Sequence, residues 1–101
     1  MNNTALTNDE SAGRYRLMRD GAEVGYVEYD RVGDHSILIK HTEVAREHEG
    51  QGLGALLVRD VLDDVRRQGK TAIPICPYAL NYIRKHRDYI DVIHADMRST
   101  I

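Results

Sequence analysis

The sequence predicts an α+β fold: an antiparallel β-meander, then a helix–strand–helix crossover with room for a last short strand. Three observations carry this. The first half alternates apolar and polar residues between Gly-containing turns. A run of three alternating glycines, Gly50, Gly52 and Gly54, then opens an amphipathic helix. After that helix the apolar pattern shortens to a strand and a second helix. At 101 residues the chain is one domain with a modest core.

The elements come in this order. Met1 to Ala12 is rich in Asn, Thr, Asp and Glu, so residues 1–13 are expected to be a disordered tail and 14–101 the domain. Arg14 to Arg19 reads as a strand, with Tyr15 and Leu17 on one side. Asp20-Gly21 is a hairpin turn, Glu23 to Asp30 the return strand, and Gly33-Asp34 a second turn. Ser36 to Val44 is the third strand. Alternation puts Ile37, Ile39, His41 and Glu43 on one of its faces if no bulge intervenes.

The long helix comes after the glycines. Leu53, Leu57, Val58, Val61, Leu62 and Val65 form its apolar stripe. Arg66 and Arg67 suit the negative end of its dipole, and Gly69 stops it. Thr71 to Ile75 is a short strand that Pro74 makes an edge or splayed one. Pro77 starts the second helix, with Ala79, Leu80 and Ile83 on its apolar side. Val92 and Ile93 are the candidate last strand.

Composition excludes some functions. The net charge of −2 gives no electrostatic case for nucleic acid or an anionic membrane. The aromatics are six Tyr with no Phe or Trp, so no base-stacking platform is suggested. One cysteine allows no internal disulfide, which fits a cytoplasmic location. No apolar run reaches the roughly 20 residues that span a bilayer. The histidines have no metal-ligand spacing with Cys or carboxylates, so no metal is expected.

A glycine loop at a helix N-terminus suits an anion, because the first amides lack partners and sit at the positive end of the dipole. A Walker loop would need Lys-Ser/Thr after its last glycine, where this chain has Ala55-Leu56. The dinucleotide fingerprint is met on paper by Gly50, Gly52 and Ala55, but no buried strand runs directly into it.

Val44-Ala45-Arg46-Glu47-His48-Glu49-Gly50-Gln51-Gly52-Leu53-Gly54 resembles the acetyl-CoA pyrophosphate loop of the GCN5-related N-acetyltransferases. Gly52 and Gly54 match that pattern, while Glu49 stands where the family has Gln or Arg. His41-Thr42-Glu43-Val44 and Pro74-Ile75-Cys76-Pro77 narrow the resemblance to minimal members related to bacterial YjdJ. The resemblance covers about Arg14 to Ile93. It implies a minimal acyl-CoA N-acyltransferase fold with a splayed central sheet, which uses acetyl-CoA as cosubstrate and acetylates an amine.

It also implies site residues. Backbone amides from Glu49, Gly50, Gln51, Gly52, Leu53, Gly54 and Ala55 would hold the diphosphate. Thr42 to Val44 would pair with the pantetheine arm as an added strand, and Asn81 is a further cofactor contact. His41 is the candidate base, because imidazole exchanges protons near neutral pH. Glu43, beside it, would act through water or orient it. Cys76, at a helix N-terminus between two prolines, would lie near the thioester. Its role is left open between acid, pocket wall and acylated nucleophile. Tyr82 is a second-rank acid, since the family's Gly-Phe after it is missing. For each of these the bland alternative is a strand-end polar group or, for Cys76, a small buried hydrophobe. The family's N-terminal helical pair is not found, so the acceptor cleft is expected to be open and to suit a protein side chain or terminus. The alternative function is a non-catalytic CoA-binding sensor or interaction module.

Overall fold

The computed structural model describes residues 3–101. Five strands form one sheet in sequential order: β1 (Thr4–Asp9), β2 (Arg14–Arg19), β3 (Ala22–Val32), β4 (Ser36–Val44) and β5 (Thr71–Pro74). β1 to β4 pair antiparallel, and β5 joins β4 in parallel after the crossover. Helices α1 (Leu53–Arg67) and α2 (Pro77–Lys85) supply the second layer. No helix among the described residues is long and apolar enough to cross a membrane.

The expected tail is instead β1 from Thr4 onward; Met1 and Asn2 lie outside the described residues. Its composition is polar, but a strand needs only one covered face. Leu6 packs against the core, Asp9 meets Arg16 at 3.1 Å, and Asn8 accepts from Tyr29 Oη at 2.6 Å. Partners far along the chain hold the segment, so its own hydropathy does not reveal it.

The core lies between one face of the sheet and the helices. Tyr15, Leu17, Val27, Tyr29, Ile37 and Ile39 meet the predicted stripe of α1, every member of which is buried. Gly25 has no side chain because a Cβ there would stand 2.8 Å from the Glu43 carbonyl oxygen and 3.3 Å from Leu57 Cδ2. α1 therefore seats directly under β3. At its C-terminus Gly69 (φ 69°) closes the helix as expected: the Lys70 N–H donates to Val65 and that of Gly69 to Arg66, at 3.1 and 3.0 Å.

Two readings change. In α2, Ala79, Tyr82 and Ile83 are the buried residues, and Leu80 is only half-buried. The last strand reduces to one parallel bridge, Ala72 with Ile93. Residues Arg87–Val92 form 3-10 turns. Arginines take up the carbonyls of this segment: Arg66 donates to Asp88, and Arg98 donates to Asp91 and Ile93.

An irregularity in β4 sets which of its side chains face the helices. Glu28 pairs with His41 but Tyr29 with Ile39, so Lys40 is an extra residue, a β-bulge. The bulge reverses the faces beyond it. His41 and Glu43 do not share the buried face of Ile37 and Ile39; Thr42 takes that face instead. β5 accompanies β4 only from Ser36 to Ile39, with a last bond from the Ile75 N–H to the Ile39 carbonyl at 3.1 Å. From Lys40 to Val44, β4 pairs with β3 alone and its other edge is open.

Candidate active site

The open edge of β4 leads into the glycine loop. After a short 3-10 turn at Arg46–His48, the chain passes Gly50 (φ 82°) and Gly52 (φ 77°), both in the left-handed region. A side chain would be strained at either position whatever the space around it. Gly52 is the N-cap of α1. The first helical bond here runs from the Leu56 N–H to the Gly52 carbonyl at 3.2 Å. Among the described residues, the amides of Gly50 to Ala55 donate to no protein group. They sit at the positive end of a 15-residue helix.

A cleft of about 610 Å³ runs from the end of β4 to these amides. Of the residues singled out in the sequence, Thr42, Glu43, Val44, Glu49, Gly50, Gly52, Leu53 and Gly54 line it. Gln51 turns away, its side-chain oxygen accepting from Arg19 Nη1 at 3.0 Å. Ala55 and Asn81 line a neighbouring groove along α2 instead. Glu49 reaches the cleft, and among the described residues no ion pair joins it to Arg46.

Four lining residues were not among the expected site residues: Ala45, Arg46, His48 and Tyr78. Arg46 and His48 bring to the cleft groups that suit an anion, and the Glu49 carboxylate lines the same cleft. Their signal was in the loop sequence, once Glu49 is seen to need a compensating charge. Tyr78 lies in the first turn of α2 and rests its ring on Gly54, where a Cβ would meet its hydroxyl at 2.0 Å. Only the packing of α2 on α1 reveals it.

The candidate catalytic residues divide between the two faces of β4. His41 Nε2 and Glu43 Oε1 are 2.9 Å apart on the exposed face, with side chains 51% and 56% accessible. The Tyr26 ring lies 6.1 Å from that of His41, and the Arg14 guanidinium stacks on Tyr26 at 4.1 Å. On the helix face Cys76 is 4% exposed, and its thiol donates to Thr42 Oγ1 at 3.5 Å. Cys76 and His41 are therefore not in one cluster. Both flank the open edge of β4, from opposite sides, with Thr42 joining Cys76 to the cleft.

Tyr82 is not in the cleft. It is buried against His86, with ring centroids 4.0 Å apart and planes at 16°. Burial raises its phenol pKa against the opposing pull of Arg59.

A diphosphate carried on a flexible arm fits these residues. Unpartnered amides and two basic side chains face one end of the cleft, and an open strand edge faces the other.

The fold recurs among solved structures. The chain is similar to a candidate GCN5-like N-acetyltransferase from Staphylococcus aureus, at 26% identity and a TM-score of 0.68, over 93% of this chain and 91% of that one. It shares its fold with the ribosomal-protein-S18-alanine N-acetyltransferase of Escherichia coli, at 17% identity and a TM-score of 0.61. A GNAT family acetyltransferase from Elizabethkingia anophelis with acetyl-CoA bound matches at 17% identity and 0.58. In both of these the match covers 78% of this chain and 54% of the other. Comparison with curated proteins finds no match. The profile of the GCN5-related N-acetyl-transferase family matches residues 14–92, most of the chain, and the protein belongs to that family.

Proposed function

We propose that the protein binds acetyl-CoA and transfers its acetyl group directly to an amine. One observation carries this reading: the free amides from Gly50 to Ala55 open into the same cleft as the unpaired half of β4. The loop amides, with Arg46 and His48, hold the diphosphate. The edge from Lys40 to Val44 pairs with the pantetheine amides as a neighbouring strand would. Acetyl-CoA supplies the activated acyl group as a thioester.

The amine nitrogen forms a bond to the thioester carbon, and the carbon–sulfur bond breaks. The amine proton passes to the His41–Glu43 pair on the open face. The sulfur leaves as a thiolate, which the Thr42 hydroxyl stabilises by hydrogen bonding before solvent protonates it. Cys76 acts through Thr42 by fixing that hydroxyl. The uncovered face around His41 suits an acceptor presented by a protein or peptide.

Calorimetric titration with acetyl-CoA tests the site. Wild type should bind, and Gly52→Asp should not. The substitution forces a non-glycine residue to φ 77°, at about 1 kcal/mol, and adds a negative charge beside the diphosphate. No heat with wild type, or equal binding by the variant, rules this loop out.

Glu49 favours a second reading, a CoA-binding sensor without turnover, because it brings a carboxylate to the cleft. Thioester hydrolysis and amine transfer at background rates in both wild type and His41→Ala, with CoA still bound, would select the sensor.

A further inference from the structure

The face of the sheet turned away from the helices carries an apolar stripe that the catalytic scheme does not use. Leu38 and Ile73 stand side by side on β4 and β5. Both are half-buried, and neither packs against the core. Ile75, on the same side of the chain as Ile73, continues the stripe and is 52% exposed. Val32, 43% exposed, extends it onto β3, where it pairs with Ser36. The stripe starts beside the candidate base. Ile75 follows Pro74, which is in register with Ile39, and the Lys40 bulge turns His41 onto the face of Leu38. At its other end Val32 is level with Ser36 and Thr71, so the stripe runs the length of strand from Thr71 to Ile75, about 13 Å.

The charged groups around the stripe are already matched. Glu28 meets Arg14 at 3.6 Å, Asp30 meets Lys40 at 3.0 Å, and Glu43 meets His41 at 2.9 Å. None of these carboxylates is left over to hold the further charges of a polyamine or a basic peptide. The stripe instead suits an amine whose neighbouring groups are apolar. Its length favours a peptide, since an extended chain covers about 13 Å in four residues and a small alkylamine would leave most of it bare. Proton affinity favours an α-amine over lysine. At pH 7 about a tenth of α-amines are free base, against about one lysine in 2,500. A base that exchanges protons near neutral pH, as His41 does, is matched to the first. Resting on the acetyl-transfer reading above, we propose that this stripe is the acceptor subsite: the protein acetylates the N-terminal amine of a peptide whose first residues are large and apolar, and Ile75 selects them. The α-amine lies at the His41–Glu43 pair and the first side chain meets Ile75. The following residues run over Ile73 and Leu38 toward Val32.

The test follows CoA release from acetyl-CoA with four acceptors, and mass spectrometry locates the acetyl group. Two are lysine-free peptides with free N-termini, one opening on leucine and valine, the other on serine and glycine. The third is an apolar peptide with a blocked N-terminus and one lysine, and the fourth is butylamine. The apolar terminus should be preferred over the polar one by about tenfold in kcat/KM, the scale of one partly buried aliphatic side chain. The blocked peptide should stay unmodified. Ile75→Ser should reduce the preference to about twofold and leave the dissociation constant for acetyl-CoA unchanged, because Ile75 does not line the cleft. Should that variant disturb the adjoining Cys76 and lose acetyl-CoA, Ile73→Thr, which keeps a branched side chain on the strand, should lower the same ratio. Equal rates at the two free termini, acetylation of the lysine, or acetylation of butylamine but of no peptide overturns this proposal and leaves acetyl transfer standing. So does a homodimer that Ile75→Ser dissociates without changing the selectivity, which would make the stripe an interface between copies. If none of the four is acetylated, both readings fail.

Discussion

His41 and Glu43 form a hydrogen-bonded pair at the edge where an acceptor amine would approach. Removal of a positioned base typically costs about 10²- to 10⁴-fold in rate. His41→Ala should therefore lower kcat on that scale and leave the dissociation constant for acetyl-CoA unchanged, because His41 does not line the cleft. A loss confined to binding would move His41 out of the chemistry. Cys76 stands differently, buried with its thiol turned onto Thr42. Intact-mass measurement after incubation with acetyl-CoA should show no added acetyl group while turnover continues; a stoichiometric adduct would replace direct transfer with an acyl-enzyme. At this scale the sequence was partly legible. Residue types suited to acid–base work could be read from it, but not the hydrogen bond that ties Cys76 to Thr42. That bond depends on where β5 ends relative to β4, a tertiary matter.

At the scale of elements, α1 was readable and β4 was not wholly so. The stripe of α1, its glycine entry and its glycine exit are local signals, and all are realised. The bulge at Lys40 leaves no such signal, since any residue can be the extra one when the partner strand sets the register. Gly25 is a test of how α1 seats under the sheet. Gly25→Ala should cost about 2 kcal/mol in urea unfolding, because the new methyl meets backbone rather than a side chain that can swing away. An unchanged midpoint would mean that the helix has slack. Asp64, on α1, ties the helix to β2. Burial works to raise its carboxyl pKa, but the Tyr15 hydroxyl at 2.7 Å, Arg67 and the Gln68 amide outweigh that and lower it. The folded value thus lies below the unfolded one. The stabilisation is complete above the unfolded value, near pH 4, and is lost as pH falls through the folded value. Asp64→Asn should make the loss of stability between about pH 4 and pH 2 shallower than in wild type, read from urea midpoints across that range. Parallel acid limbs would show that Asp64 contributes nothing.

Across the whole molecule, the sheet carries its functional opening between β4 and β5 and its least legible strand, β1, at the opposite edge. The face away from the helices is held by charge pairs rather than apolar packing. Arg16 bridges Asp9 of β1 and Glu23 of β3, at 3.1 and 2.7 Å, and Arg14 lies 3.6 Å from Glu28. Such pairs are exposed, and each contributes little. The contribution of β1 should come instead from its ladder with β2, the half-burial of Leu6 and the Asn8–Tyr29 bond. Burying part of a leucine and making one side-chain hydrogen bond amount to about 2–3 kcal/mol together. A chain lacking residues 1–12 should therefore unfold at lower urea by that amount. It should still bind acetyl-CoA, since no residue of β1 lines the cleft. It should also self-associate more readily, because the removal exposes the ladder groups of β2 along a free edge. Sedimentation and urea titration measure both effects. An unchanged midpoint would return these residues to the tail that their composition suggests. A loss of cofactor binding would mean that the far edge of the sheet sets the splay between β4 and β5, so that the cleft depends on the whole sheet rather than on the loop beside it.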